Sequence, residues 1–187
     1  FPTHVPIVTP QRISAEDAFG LIPFWDRAAC RERLAATRNE GLYTPPSTQG
    51  TLIFPMTGGG VNWGGAAFDP VNQIVYANTS RAVHIVTLVP AVQVSGFKAP
   101  PGHDFGPQRG APFAMTRAVA LSPLGLPCNR PPWGVLVAVD LKAGKILWQA
   151  RVGTTEDIAP LGLPFPFGTP LVNGVLVTAG GLVFTGA

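Results

Sequence analysis

The pattern of apolar and polar residues changes period near residue 47. Before that point apolar residues recur at helical spacing; after it they fall in short runs separated by Gly, Pro, Asn and Asp. Residues 1–13 are proline-rich and read as extended. Ser14 ahead of Ala15-Glu16-Asp17 predicts an N-cap with acids in the first turn, opening a short helix to about Leu21. A second helix is expected from Phe24 to Asn39, with Gly41 as its stop. On it Phe24, Trp25, Ala28, Ala29, Ala35 and Ala36 form one apolar stripe, with Cys30 and Leu34 on the opposite side. Asp26, Arg27, Arg31, Arg33 and Arg38 lie off the stripe as a solvated face.

Beyond Thr44-Pro45-Pro46-Ser47 the helical signal does not return. Strands are expected at Thr51–Phe54, Ala66–Phe68, Ile74–Ala77, Ala82–Val89, Ala114–Leu121 and Gly134–Val139. Asp69-Pro70-Val71-Asn72 joins the second and third as a hairpin turn. Val92 to Phe113 and Gly153 to Gly168 read as long loops. After Val139 the pattern is a turn through Asp140–Lys145 and a strand on which alternation buries Trp148. Asn173-Gly174 predicts a tight hairpin between Leu171-Val172 and Val175–Thr178. Gly180-Gly181 then leads into Leu182–Thr185, a strand with no hairpin after it.

Composition agrees with this β-rich reading. The 187 residues include 22 Gly and 21 Pro, with 46% hydrophobic and 12% charged, as expected of short strands and long loops. Net charge is +3, and the basic residues are scattered without interleaved aromatics, which argues against nucleic acid. No apolar run reaches membrane-spanning length, and Phe1-Pro2-Thr3-His4 is not a signal peptide. Without an initiator Met, the chain reads as a piece of something longer.

Few residues invite chemistry. His4, His84 and His103 sit in three different segments and share no metal-ligand spacing. Gly102-His103-Asp104 places a base beside a carboxylate, yet sequence neighbours on a loop seldom orient one another. No serine stands in a G-x-S-x-G setting, and no phosphate-binding loop is present. Asp69 and Asp140 are explained by their turns. What survives is Gly58-Gly59-Gly60-Val61-Asn62-Trp63-Gly64-Gly65, a loop that presents an amide and an indole ahead of a strand. Asn62 can donate twice and accept, which suits a carbonyl-rich ligand edge, and Trp63 offers a flat face. The alternative is a glycine turn with a core tryptophan.

The segment GGGVNWGGAAFDPVNQIVYAN resembles the corresponding part of the membrane-bound quinoprotein glucose dehydrogenases, which use pyrroloquinoline quinone (PQQ). So, in the same order, do EGLYTPPSTQGTLIFP, LSPLGLPCNRPPWGVLVAVDLKAGKILWQARVGT and TPLVNGVLVTAGGLVFTGA, so the resemblance spans nearly the whole chain and is weakest over residues 91–113. Residues 137–148 also resemble the quinoprotein propeller repeat, in which a turn hydrogen-bonds onto a Trp docked between blades. Ala143 stands where that repeat usually has Thr.

The resemblance implies an all-β fold: a partial β-propeller of about two to three four-stranded blades or parts of blades, with an N-terminal helical insertion. Residues 1–50 would be that insertion and its extended lead-in, and residues 51–187 the incomplete propeller segment. A blade takes roughly 40–50 residues. Open sheet edges then favour self-association. In the family, the residues matching Asn62 and Trp63 lie in the cofactor loop. The implied chemistry is hydride transfer from an aldose to PQQ, helped by a calcium or magnesium ion, with electrons passed to ubiquinone. The base and the metal-binding residues belong to segments outside this chain, so no catalytic or metal residue is assigned, and the chain alone should bind no cofactor. A periplasmic location is implied, with membrane anchoring by segments not present here. Two alternatives are a quinate or polyol quinoprotein and a non-catalytic propeller scaffold. An oxidising periplasm would let Cys30 and Cys128 form a disulfide; the alternative is two unrelated buried thiols.

Overall fold

The computed structural model of the chain describes residues 6–186, so His4 and the start of the extended lead-in lie outside the described residues. In chain order the elements are α1 (Ala28–Ala36), β1 (Thr51–Ile53), β2 (Ala66–Asp69), β3 (Ile74–Ser80), β4 (His84–Pro90), β5 (Asp104–Gly106), β6 (Phe113–Val119), β7 (Gly134–Asp140), β8 (Lys145–Arg151), β9 (Val175–Val177) and β10 (Val183–Thr185). They fall into two compact units, each threaded by the sequence more than once. Among the described residues, the first comprises 6–10, 58–81 and 131–186; the second comprises 11–57 and 82–130. Residues 11–50 therefore share a unit with residues 82–130.

The first unit is built on an antiparallel sheet of order β2-β3-β7-β8. Asp69 makes the β2–β3 turn, its Oδ1 accepting the N–H groups of Val71 (2.9 Å) and Asn72 (3.1 Å). Asp140 repeats the device between β7 and β8, accepting from Lys142 and Ala143. Such Asx turns satisfy loop N–H groups locally and fix the register of the strands they join. Both sheet faces are covered. Tyr76, Leu136 and Ala138 pack against Val175, Val177 and Val183 of the two-stranded β9–β10 sheet. Ala77, Val137 and Val139 pack against Val8 and Ile146 on the other face. Being buried on both faces explains why β7 reads as an unbroken apolar run.

Trp148 lies against Tyr76 with ring centroids 5.9 Å apart, yet it stays 41% exposed. The fully buried indole is Trp133, set edge-on to Phe167. Beside it, a Cβ on Gly134 would run into the carbonyl of Thr169, so only glycine allows that backbone approach. The expected Asn173-Gly174 hairpin does not form. β9 instead pairs with β10 through a turn at Gly180-Gly181, so the last strand finds its partner before it in sequence.

The second unit carries a sheet of order β1-β4-β6-β5 and the helix. Ser14 and Asp17 form a capping box over a single 3-10 turn, Ala15–Asp17, shorter than expected. The second helix is also shorter. A π-helical turn at Pro23–Arg27 precedes α1, which ends at Ala36. The expected stripe is overturned: α1 buries Cys30 and Leu34, while Phe24 is 94% exposed. A wider turn at the N-terminus breaks the period that put Phe24 and Trp25 in line with the alanines. Alanines alone bring too little apolar area to outcompete Leu34 and the cysteine. Cys30 and Cys128 form a disulfide inside a cluster with Ile13, Leu34, Leu52, Val83 and Ala120. The expected long loop from Val92 to Phe113 holds a strand after all, since β5 pairs with β6.

Candidate functional site

The glycine loop belongs to the first unit, and polar residues at the end of β3 hold it. Ser80 donates its N–H to the carbonyl of Gly60 (2.8 Å). The Ser80 hydroxyl also donates to the carbonyl of Leu171 (2.5 Å) and accepts the Leu171 N–H (2.8 Å). Asn78 donates through Nδ2 to the carbonyl of Asn173 (2.9 Å) and to Thr185 Oγ1 (2.6 Å). These bonds draw residues 171–173 away from hairpin geometry. At Gly64 a Cβ would stand 2.6 Å from the backbone of Val172 and Asn173. Two backbones therefore meet beside the loop, and the glycine is what lets them.

Within the loop, Asn62 Oδ1 accepts the N–H of Trp63 (2.6 Å), and the Asn62 carbonyl accepts from Gly65 (3.0 Å). The amide plane is thereby set by its own loop. No hydrogen-bond partner for Nδ2 is found among the described residues, which leaves two N–H donors available. Trp63 is 90% exposed, so the core-tryptophan alternative does not describe it. A held amide with spare donors beside an open indole face fits a flat ligand with acceptors on its rim. The buried Oδ1 of Asn78 likewise has no hydrogen-bond partner among the described residues. Sequence reading missed Asn78 and Ser80. Their signal was a polar Asn-Thr-Ser ending on a strand that is otherwise apolar.

The second unit holds the other candidates. His84 is buried on β4, and its Nδ1 meets Thr57 Oγ1 at 2.7 Å. Arg117 donates to the same hydroxyl (3.1 Å) and pairs with Asp104 (2.6 Å). Burial and the Arg117 charge push the His84 pKa below its ordinary value, against a smaller pull from Asp104. Hydrogen bonding to Arg117 holds the Asp104 carboxyl below the ordinary range. Asp104 thus serves Arg117 rather than its sequence neighbour His103. Among the described residues no group of three or more His, Cys, Asp and Glu side chains could hold a metal ion.

A family model described as PQQ, glucose/ethanol/alcohol dehydrogenase, beta-propeller domain, matches residues 1–187. The chain belongs to the PQQ β-propeller family. Its antiparallel sheets, one of them only two-stranded, make it a partial propeller. Among curated relatives it is 40% identical to a "Probable quinate dehydrogenase (quinone)" of Xanthomonas campestris pv. juglandis, over 96% of this chain and 24% of the relative. It is 37% identical to the quinoprotein glucose dehydrogenase of Escherichia coli strain K12, over 94% of this chain and 23% of that protein. With the glycerol dehydrogenase large subunit of Gluconobacter thailandicus, identity is 32% over 98% of this chain and 27% of the relative. The chain thus spans about a quarter of the length of the relatives it matches. No helix among the described residues is long and apolar enough to cross a membrane.

Proposed function

We propose that this PQQ-family chain supplies one wall of the cofactor site of a quinoprotein dehydrogenase, with Asn62 and Trp63 as its cofactor-binding residues. The whole enzyme would oxidise glucose or a related aldose to the lactone and pass the electrons to ubiquinone. The observation that carries this reading is the Asn62 amide, held by the Trp63 N–H and left with two spare donors beside an exposed indole. When bound, PQQ supplies a two-electron acceptor, with a calcium or magnesium ion polarising its carbonyl.

This chain's own part is to bind and orient. Asn62 Nδ2 donates to an acceptor on the cofactor rim, and Trp63 covers a face and excludes water. Ser80 fixes the loop through the Gly60 carbonyl, while Asn78 holds the neighbouring backbone at Asn173. In this scheme residues 51–187 act as the propeller segment, preceded by residues 1–50. The remaining propeller completes the site, and the enzyme works in the periplasm under a membrane anchor held elsewhere. A second reading, a quinate-oxidising enzyme, is favoured by the 40% identity to the Xanthomonas protein.

Two variants of the whole enzyme test the assignment. Asn62→Asp keeps an acceptor for the Trp63 N–H and removes the donors. It should leave the melting temperature unchanged and weaken quinone binding by about 1–3 kcal/mol. Asn62→Ala should lower both affinity and loop stability. An Asn62→Asp enzyme with an unaltered quinone titration would refute the role.

A further inference from the structure

Asn173-Gly174 is a strong hairpin signal that the fold does not use as a hairpin. It is also the only Asn-Gly pair in the chain. Glycine carries no Cβ to shield its backbone nitrogen, so that nitrogen can reach the side-chain carbonyl carbon of the residue before it. The Asn173 side chain has no hydrogen-bond partner among the described residues to hold its amide away.

The peptide joining the two residues is held by its oxygen. Asn78, only 2% exposed, donates through Nδ2 to the Asn173 carbonyl (2.9 Å). When the Gly174 N–H gives up its proton, the negative charge spreads onto that same oxygen. A fixed donor there stabilises the charge and raises the share of the reactive anion.

We propose that Asn173 is a self-modification site, converted to aspartate and isoaspartate by the backbone nitrogen of Gly174 with the help of Asn78. The nitrogen bonds to Cγ of Asn173, the Cγ–Nδ2 bond breaks, and the N–H proton leaves with ammonia. Water then opens the cyclic imide at either carbonyl. One water enters, one ammonia leaves, and nothing is oxidised or reduced. The step is internal to the backbone and calls for no partner.

Its place in the fold gives the product a consequence. A Cβ on Gly64 would stand 2.6 Å from the Asn173 carbonyl carbon and 2.8 Å from the Gly174 nitrogen. Isoaspartate adds a methylene to the main chain at this contact, where not even a Cβ fits. On the reading that Asn62 and Trp63 bind the quinone, the product pushes their loop from behind and weakens that binding.

Ageing the chain in mildly alkaline buffer, followed by trypsin and mass spectrometry, tests this. No Lys or Arg follows Arg151, and residues 152–187 hold no other Asn or Gln, so a change from amide to acid in that peptide is a change at Asn173. Labelling by an isoaspartyl methyltransferase identifies the isomer. The folded chain should convert at least as fast as the same chain in urea, and Asn173→Gln should not convert. Asn78→Leu removes the donor and should slow conversion about tenfold, the worth of one hydrogen bond to a developing charge. An unchanged circular dichroism spectrum confirms the folding of that variant. Slower conversion in the folded chain than in urea would overturn the proposal, and so would an equal rate in folded Asn78→Leu. In the whole enzyme, converted protein should titrate the quinone more weakly. Conversion with an unaltered titration would refute the cofactor role of the loop and leave the modification standing.

Discussion

At the scale of single residues, His84 shows how burial turns into pH dependence. Its folded pKa lies below the ordinary value of 6.5, because burial and Arg117 disfavour the imidazolium. As pH falls through about 6.5 the unfolded chain therefore takes the proton first. Stability is full above that value and declines below it, towards the folded pKa. His84→Gln, which keeps a partner for Thr57, should flatten the fall in melting temperature between about pH 7 and pH 5. The carboxylates Glu40, Asp69 and Asp104 have lowered pKa values and titrate in a more acidic window, so they leave this one clear. A melting temperature that falls equally in both proteins would show that His84 is not the group responsible.

Among the elements, α1 tests which face the fold uses. Leu34 is buried and Phe24 is not, so Leu34→Ala should cost about 2–4 kcal/mol in chemical denaturation and Phe24→Ala almost nothing. The reverse order would restore the stripe that the sequence suggests. Periodicity places the helix but misjudges its buried side, because the π-helical turn shifts phase and the disulfide chooses Cys30's face. Strands were more legible: β2, β3 and the turn at Asp69 fall where alternation and turn chemistry put them. Asn173-Gly174 misled because a strong local turn signal lost to long-range bonds from Asn78. β5 was invisible because a three-residue strand ending in a glycine carries no period. The glycine loop stood out in sequence as a candidate, but its anchoring by Ser80 depends on residues brought near by folding.

For the molecule as a whole, the proposed function makes the chain one wall of a larger site. The 187-residue chain alone should show no glucose oxidation when supplied with PQQ and calcium, and robust turnover would overturn the reading of the chain as one wall of the site. The disulfide joins residues 98 apart in sequence. In the chain-entropy model such a closure contributes about 4–5 kcal/mol. Thiol labelling of denatured, unreduced chain should find no free thiol, and reduction should lower the denaturation midpoint sharply. Topology has a further consequence, for synthesis. β3 pairs with β7, yet residues 81–133 must leave the ribosome between them. At roughly 5–20 residues per second, the β2–β3 hairpin waits about 3–10 s for its next strand. A lone hairpin is marginal in water, so through that interval the nascent chain exposes a sticky β3 edge. Pausing of translation within residues 81–133 would lengthen this window and raise the share of chains lost to aggregation.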